Sequence, residues 1–351
     1  MTYIDLLRKL IAVKSPSRCE VATADMLQTY LYEHGFEPQR VGNNVWALKS
    51  GYDAGRPTLL LNSHHDTVGV CEGWTHNPFG AEGSDGKIFG LGSNDAGASA
   101  VSLVEAFSQL RDADLPFNLL LALTAEEEVG GEGGMRMFIK EMRRLEVDID
   151  MAIVGEPTGM VPMIGERGLL VLDCTAHGVA GHAARGEGVN ALYKAIEDIG
   201  RLRNMKFDRE SRLLGPIGIN VTMIEAGTRH NVIPDSCRFT VDVRTTDAYT
   251  NEETARIIAG SLESDVVARS TRVWPSVIDE NHPLTVAACR GGAAPEVSPT
   301  TSDMSLLHDI PSLKIGPGDS ARSHGADEYI TLDELAEAPR RYLEIIRNIK
   351  I

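Results

Sequence analysis

Residues 57–66 read PTLLLNSHHD, an apolar run of strand length that stops at two histidines and an aspartate. A continuous apolar run of this kind, bounded by polar residues, is typical of a strand that is buried on both faces. The same pattern, an apolar run that ends in polar residues, recurs in PFNLLLALTAEEE at residues 116–128 and in IDMAIVGE at residues 149–156. Helical periodicity separates these segments, which predicts a layered α/β domain with a mostly parallel sheet.

Polar residues follow each of the three predicted strands at its carboxyl end. In open α/β sheets, ligands bind outside the carboxyl ends of the strands, where the connecting loops form a crevice. We therefore expect one shared crevice that is formed by His64, Asp66, Glu126, Glu127, Glu128 and Glu156.

The pattern changes at about residue 165 and changes back after Trp274 and Pro275. Between these points it predicts strand, helix, strand, strand, helix and strand, which is the arrangement of a small ferredoxin-like α+β domain. The chain of 351 residues also exceeds the length of about 250–300 residues at which a single core stops growing. We therefore expect a discontinuous three-layer α/β domain from residues 1–164 and 276–351, with residues 165–275 inserted as a second domain.

Composition excludes several classes of protein. The 34 lysines and arginines face 50 aspartates and glutamates, giving a net charge of −16, and no basic block is present that could bind a nucleic acid. No apolar run reaches the about 18 residues of a membrane span, and the first residues form an amphipathic helix pattern rather than a secretion signal. The five cysteines are scattered and form no CxxC pair, which argues against a disulfide framework or a cysteine zinc site. We expect a cytoplasmic protein with neither nucleic acid nor membrane as a partner.

Several short motifs contain histidines and carboxylates that can bind a metal ion or transfer a proton. His64 and Asp66 are two positions apart, so an extended chain presents both on one face, where the carboxylate can fix the imidazole tautomer. Asp95 lies in a glycine-flanked turn, GLGSNDAG at residues 90–97, and His324 lies in RSHGADEY at residues 322–329. Taken singly, each motif has an ordinary structural explanation, such as a strand end or a helix cap.

Taken together, these residues predict a metal site. Three adjacent carboxylates at residues 126–128 repel one another unless a cation compensates them. Two histidines and several carboxylates also provide the mixed nitrogen and oxygen ligands that suit Zn²⁺ or a similar divalent ion.

The order of these motifs resembles the co-catalytic zinc family of acetylornithine deacetylases, succinyl-diaminopimelate desuccinylases and glutamate carboxypeptidases. The resemblance covers nearly the whole chain, because further segments match in the same order. These segments are WTHNPFG at residues 74–80, DGKIFGLG at 85–92, GHAARGEGVNA at 181–191 and NVIP at 231–234.

The resemblance implies a zinc-peptidase-like catalytic domain that binds two divalent ions per subunit. One ion would be held by His64, Asp95 and Glu156. The other would be held by Asp95, Glu128 and His324, with Asp95 bridging the two. Zinc is the expected metal, with cobalt and manganese as alternatives. The resemblance also makes Glu127 the general base and Asp66 the partner of His64.

For the inserted domain, the resemblance implies a lid that also forms a homodimer. It places His182 in the site of the neighbouring subunit, and it places Asn231 and Arg244 against the substrate. A substrate α-carboxylate would favour a bidentate arginine, for which the candidates are Arg244, Arg167 and Arg185 in that order. Arg322 could bind the second carboxylate of a succinyl group.

The sequence departs from the family pattern around two of the ligands. Leu91 stands where the family usually has arginine, and Ala96 and Gly97 stand where it has methionine and lysine. His324 is followed by Gly-Ala-Asp-Glu rather than by a pattern with asparagine before the glutamate. The family often has a cis peptide after the bridging residue, and we expect it here between Asp95 and Ala96.

These observations favour a deacylase that hydrolyses the amide bond of an N-acylated amino acid. The resemblance of residues 316–324, GPGDSARSH, to deacylases of the arginine pathway favours N-acetyl- or N-succinyl-ornithine or -citrulline. Succinyl-diaminopimelate is the second candidate, followed by dipeptides and acylated glutamates. A metal-free binding protein with the same fold is the alternative of a different class. A cysteine hydrolase is disfavoured because no cysteine lies in a recognisable nucleophile motif.

Overall fold

The computed structural model describes all 351 residues, and the chain divides into two compact units. The larger unit comprises Met1–Gly165, Ile278–Ser298 and Ser302–Ile351. The smaller unit comprises Glu166–Val277 together with Pro299–Thr301. Three differences from the expected boundaries follow: Gly165 groups with the larger unit, and residues 276–277 and 299–301 group with the smaller unit. No helix has the combination of length and apolar character that crossing a bilayer requires.

The helices are α1 (Tyr3–Ile11), α2 (Val21–Glu33), α3 (Ala98–Gln109), α4 (Met135–Arg144), α5 (Ala191–Arg203), α6 (Asn251–Ser261), α7 (Pro283–Ala288) and α8 (Leu332–Asn348). The strands are β1 (Gln39–Val41), β2 (Asn44–Leu48), β3 (Thr58–His64), β4 (Glu82–Ser84), β5 (Lys87–Phe89), β6 (Asn118–Thr124), β7 (Met151–Val154), β8 (Met163–Glu166), β9 (Gly168–His177), β10 (Gly181–His182), β11 (Gly218–Ala226), β12 (Val232–Ile233), β13 (Ser236–Thr245), β14 (Asp265–Ala268), β15 (Ser276–Val277), β16 (Glu296–Ser298), β17 (Ser312–Lys314) and β18 (Tyr329–Thr331).

The main sheet of the larger unit runs in the order β1-β2-β6-β3-β7-β17-β8. Its centre, β6-β3-β7-β17, is parallel, whereas β1, β2 and β8 join in antiparallel pairs. The prediction of a mostly parallel sheet is thus right for the centre and wrong for the edges. At one edge the reason is local, because β1 and β2 are joined by a two-residue turn and only antiparallel strands can be joined so closely.

Helices cover both faces of this sheet, which confirms the predicted three-layer arrangement. On one face, Leu60, Leu120 and Ala122 are buried in a core cluster with Phe138 of α4. Neighbouring strand residues such as Leu61 point to the opposite face, where α3 contacts β3 and β6. Burial of both faces explains why the central strands are apolar without alternation.

The smaller unit contains the predicted ferredoxin-like arrangement. The elements β9, α5, β11, β13, α6 and β14 follow one another along the chain, and the strands form an antiparallel sheet in the order β11-β13-β9-β14. Leu172 of β9 and Val241 of β13 are buried with Ile258 of α6 in one core cluster. The helix α6 begins with a capping box in which Thr250 and Glu253 bind each other's backbone N–H groups.

The central strands bring the predicted polar residues to one edge of the main sheet. β3 pairs in parallel with β6 on one side, with His64 opposite Thr124, and with β7 on the other side, with Asn62 opposite Val154. The three strands therefore end side by side, as the sequence predicted. The residues that follow them, at 64–66, 126–128 and 156, enter the same crevice.

Candidate metal centre

Asp95 lies at the centre of the five predicted ligands. Its Oδ1 lies 3.2 Å from His64 Nε2, which is also 3.8 Å from Glu156 Oε1. Its Oδ2 lies 3.6 Å from His324 Nε2, which is also 3.0 Å from Glu128 Oε2. The side chains therefore form two groups that share Asp95, one through each of its carboxylate oxygens.

Tight turns and strand ends hold these side chains in place. His64 ends β3, Glu128 lies in a helical turn after β6, and Glu156 follows β7 by two residues. Asp95 lies in the turn between β5 and α3, and the peptide bond from Asp95 to Ala96 is cis, which confirms the prediction. A Cβ on Gly97 would lie 2.3 Å from the carbonyl oxygen of Gly92, so this turn excludes the larger side chain that the family has at position 97.

Asp66 connects the imidazole of His64 to the acidic turn at residues 126–128. Its Oδ1 lies 3.4 Å from His64 Nδ1 and accepts the backbone N–H of Glu127 at 3.1 Å. Its Oδ2 accepts the backbone N–H of Glu128 at 3.2 Å and the hydroxyl of Ser17 at 2.7 Å. A proton on His64 Nδ1 directs the Nε2 lone pair toward Asp95 and Glu156, as a metal ligand requires.

The surroundings of Asp66 favour its ionised form. Burial by itself would raise the pKa of Asp66, but His64 and the hydrogen bonds from Ser17 and Glu127 lower it to about 2. Asp66 is therefore suited to hold the imidazole and the acidic turn as a carboxylate.

Burial and mutual repulsion both disfavour the ionised forms of the other carboxylates of the centre. Burial raises the pKa of Glu156 to about 8, and the carboxylates of Asp95 and Glu128 add to this rise. Burial likewise raises the pKa of Glu127 and Glu128. Divalent cations would compensate these charges, and the set of two imidazoles and three carboxylates has the composition that binds zinc and related ions. The residues present therefore fit a metal centre.

Glu328 is a functional residue whose role we did not predict. Its buried carboxylate accepts backbone N–H groups from Gly92 at 3.0 Å, Asn94 at 2.8 Å and Asp95 at 2.9 Å. Glu328 thereby fixes the turn that presents Asp95. The signal lay in the segment SHGADE, in which His324 was the only residue expected to belong to the site.

Two neighbours of the predicted ligands have structural roles instead. The carboxylate of Glu126 accepts the backbone N–H of Gly133 at 3.2 Å and lies 3.9 Å from Arg18 Nε, so it closes its own glycine-rich loop. His65 binds the Thr23 hydroxyl through Nδ1 at 2.9 Å and the Asn43 carbonyl through Nε2 at 3.0 Å. As expected from its position on an extended chain, His65 does not join the metal site.

The candidate substrate residue of the larger unit, Arg322, is held by other partners. It donates a hydrogen bond to Glu334 Oε2 at 2.9 Å, and its guanidinium lies over the Tyr329 ring at 4.4 Å. Glu334 belongs to the capping box that begins α8. Arg322 therefore stabilises the start of this helix.

In the smaller unit, two candidate substrate residues are neighbours. His182 pairs with Val232 across a short two-stranded sheet, and the backbone N–H of Ala183 donates to the carbonyl of Asn231 at 3.1 Å. Both His182 and Asn231 are exposed, and Arg185 is exposed in the same loop as His182.

Arg244 and Arg167 also approach each other within the smaller unit. A Cβ on Gly218 would lie 3.5 Å both from Arg167 Nη1 and from Arg244 Cβ. Arg244 donates to Asp242 through two nitrogens at 2.9 and 3.1 Å, and Arg167 donates to the Leu214 carbonyl at 2.7 Å. These partners hold the two arginines side by side.

Residues 60–348 match the family model described as peptidase family M20/M25/M40. The chain belongs to this family. It is therefore a metallohydrolase that acts on amide bonds.

Similar proteins with known names include both deacylases and peptidases. A succinyl-diaminopimelate desuccinylase of Wolbachia pipientis wMel is 27% identical over 373 residues, which cover 98% of this chain and 92% of that protein. An acetylornithine deacetylase of Proteus mirabilis is 27% identical over 382 residues, which cover 99% and 96%. A dinuclear metal-binding peptidase of the M20 family from Bacillus subtilis has the same fold, with a TM-score of 0.71, 18% identity, and coverage of 98% of this chain and 96% of that one.

Replacing Glu328 should weaken metal binding. In Glu328→Ala the turn around Asp95 loses the acceptor for three N–H groups, and changes in residues that orient metal ligands cost about 10- to 100-fold in affinity. Competition with a chromophoric chelator measures this affinity. Glu337→Ala, an exposed change on α8, is the matched control and should bind metal like the wild type. Equal affinities for all three proteins would show that Glu328 does not position Asp95.

Adding Zn²⁺ to chelator-treated protein should stabilise the fold. A ligand that binds only the folded state at about 100 times its Kd adds about 2.7 kcal/mol to the free energy of unfolding. Urea denaturation with and without Zn²⁺ measures the difference. His64→Ala should lose most of this stabilisation, and Mg²⁺, which prefers oxygen ligands, should give less of it. Equal stabilisation of His64→Ala and the wild type would place the bound zinc elsewhere.

Proposed function

We propose that the protein is a deacylase that hydrolyses the amide bond of an N-acylated amino acid. The observation that carries this proposal is the convergence of His64, Asp95, Glu128, Glu156 and His324 beside Glu127 and Asp66. A protein that only binds its ligand has no need for a carboxylate base next to a metal pair.

We assign the two metal ions to the two groups of side chains that share Asp95. His64 and Glu156 would hold one ion and Glu128 and His324 the other, with Asp95 shared between them, and zinc is the first choice of metal. When bound, such a pair would supply Lewis-acid polarisation of the scissile carbonyl and activation of a water.

Glu127 acts as the general acid and base. It accepts a proton from the attacking water and delivers a proton to the leaving amine nitrogen. The hydrogen bond from its backbone N–H to Asp66 places it in the same rigid turn as Glu128, so the base and a metal ligand keep a fixed separation.

The first candidate substrates are N-acetyl- and N-succinyl-ornithine and the corresponding citrullines, which would place the enzyme in arginine biosynthesis. The Proteus mirabilis relative named acetylornithine deacetylase supports this choice. Succinyl-diaminopimelate is the second candidate, and the relatives named desuccinylase favour it. All of these molecules carry an α-carboxylate, for which Arg244 and Arg167 are the first choices and Arg185 the third. Recruiting Arg322 to a succinyl group would require breaking its pair with Glu334.

We further propose that the smaller unit is a lid that forms a homodimer through β11. This strand lies at an edge of its sheet, and Met223 and Ile224 on it are 64% and 51% exposed. The adjacent helix α5 adds the exposed side chains of Tyr193 and Ile196. An exposed edge strand with apolar neighbours favours pairing with a second copy. A two-fold axis at this edge would repeat the same contacts in both copies.

Glu127→Gln should abolish hydrolysis and retain the metal ions. We expect the zinc-loaded wild type to cleave at least one member of a panel of acetyl-ornithine, succinyl-ornithine, their citrulline analogues and succinyl-diaminopimelate. The variant should lose about 10²- to 10⁴-fold in kcat, the usual contribution of a general base, with metal content unchanged by elemental analysis. An unchanged kcat in the variant, or no cleavage of any acylated amino acid by the wild type, would contradict the proposal.

Charges on β11 should dissociate the dimer. We expect the wild type to elute as a dimer in size-exclusion chromatography with light scattering, and Met223→Lys with Ile224→Lys to elute as a monomer. Val267→Lys adds a charge at an equally exposed position on β14, the opposite edge strand, and should stay dimeric. A monomeric wild type would contradict the assignment of the interface.

Mixed dimers test whether His182 acts in the neighbouring site. If it does, dimers that combine one His182→Ala subunit with one Glu127→Gln subunit should regain activity.

A further inference from the structure

Asp303 is a buried carboxylate close to the metal centre to which none of the roles above is assigned. It is 4% exposed and begins the helical turn Asp303–Leu306. Met304 and Leu307 of this segment are buried in the core cluster with Leu60 and Leu120 of the central strands. The packing of its neighbours therefore fixes the position of Asp303 against β3 and β6.

A chain of hydrogen bonds connects Asp303 to the ends of both strands. Asn62 Nδ2 of β3 donates to Thr124 Oγ1 of β6 at 3.0 Å, and the Thr124 hydroxyl donates to Asp303 Oδ2 at 2.7 Å. Asn62 Nδ2 also lies 3.4 Å from the Ala122 carbonyl, so this orientation of the amide suits both acceptors. The Thr124 hydroxyl also lies 3.3 Å from the Ser63 carbonyl, and the shorter contact makes Asp303 its principal acceptor.

The Asn62 amide keeps this orientation although its oxygen makes no hydrogen bond. Asn62 Oδ1 is buried and has no hydrogen-bond partner. A buried polar atom without a partner is unfavourable and calls for an explanation. The explanation offered by the geometry is that the N–H groups of Asn62 are needed to orient Thr124, and Thr124 is needed to hold Asp303.

The strand end that Asp303 holds leads directly to the proposed base. Thr124, whose hydroxyl Asp303 accepts, is the last residue of β6 and lies three positions before Glu127. The backbone N–H of Glu127 is in turn bound by Asp66 Oδ1, so the short segment from Thr124 to Glu127 is anchored at both ends.

We propose that Asp303 is a positioning residue for Glu127. It fixes the end of β6 through Thr124 and thereby the start of the turn that carries Glu127. The inference rests on the proposed function, since it concerns the residue that moves the proton. None of these hydrogen bonds involves a proposed metal ligand, so we expect Asp303 to affect catalysis rather than metal binding.

The isosteric variant Asp303→Asn tests the proposal. Its amide oxygen can still accept the Thr124 hydroxyl, but this hydrogen bond loses its charge, and charge-assisted hydrogen bonds are about twice as strong as neutral ones. We expect kcat to fall about 10- to 100-fold, because small displacements of a catalytic group cost rates of this order. KM and metal content should stay within about twofold of the wild type. General destabilisation would not lower kcat while leaving KM and metal content unchanged. Asp309→Asn, an exposed change in the same segment, is the control for loss of charge and should be unaffected.

A second pair of variants covers the case in which Asp303→Asn does not fold. Thr124→Val removes the hydroxyl at nearly constant size and should lose kcat to a similar extent, whereas Thr124→Ser should restore it. Wild-type kcat in Asp303→Asn, or equal kcat in both Thr124 variants, would overturn the role of Asp303. A parallel loss of metal and kcat would also overturn it, since it would indicate a role in metal binding. Glu127→Gln separates the two proposals: if it is inactive while Asp303→Asn is fully active, only the inference fails, and if it is active, the proposed function fails.

Discussion

The structure depends on one electrostatic constraint, the crowding of carboxylates at the carboxyl edge of a parallel sheet. Asp95, Glu128 and Glu156 lie around a single buried imidazole, that of His64. Buried like charges raise one another's pKa, and the alternative to taking up protons is to bind cations. Metal ions would stabilise a centre of this kind, and its side chains would fix their coordination geometry. Metal binding and folding of the crevice are therefore linked.

Hydrogen bonds from other carboxylates convert this crowding into a defined geometry. Asp66 holds the imidazole of His64 and the backbone of Glu127 and Glu128, while Glu328 holds the backbone around Asp95. Each accepts backbone N–H groups through both of its carboxylate oxygens. The centre therefore uses carboxylates in two ways, some to face the cations and others to fix the loops that carry the first set.

The sequence predicted those parts of the site whose chemistry is written locally. The segments at residues 57–66 and 116–128 join a buried strand to its polar end without interruption, so periodicity and strand order were enough. Glu328 and Asp303 were missed because their partners are distant in the sequence. Gly92 lies 236 positions before Glu328, and Thr124 lies 179 positions before Asp303. A buried acceptor has no local pattern, since a glutamate at the surface looks the same in sequence. The antiparallel pairing of β2 with β6 was missed because these two strands are also far apart in the sequence.

The charge of the centre also limits how it can attract a substrate. The ligand carboxylates together with Asp66, Glu127 and Asp303 supply more negative charge than two divalent ions neutralise when all are ionised. An anionic N-acyl amino acid gains little from the centre beyond the polarisation of its carbonyl, so its carboxylate must be recognised by separate cations. Arg322 is already neutralised by Glu334, whereas Arg167 donates only to a backbone carbonyl in the contacts described above and keeps its charge. In the proposed function, the arginines that would select the substrate belong to a different unit from the carboxylates that would hold the metal, so a change of substrate would not require a change of the metal ligands.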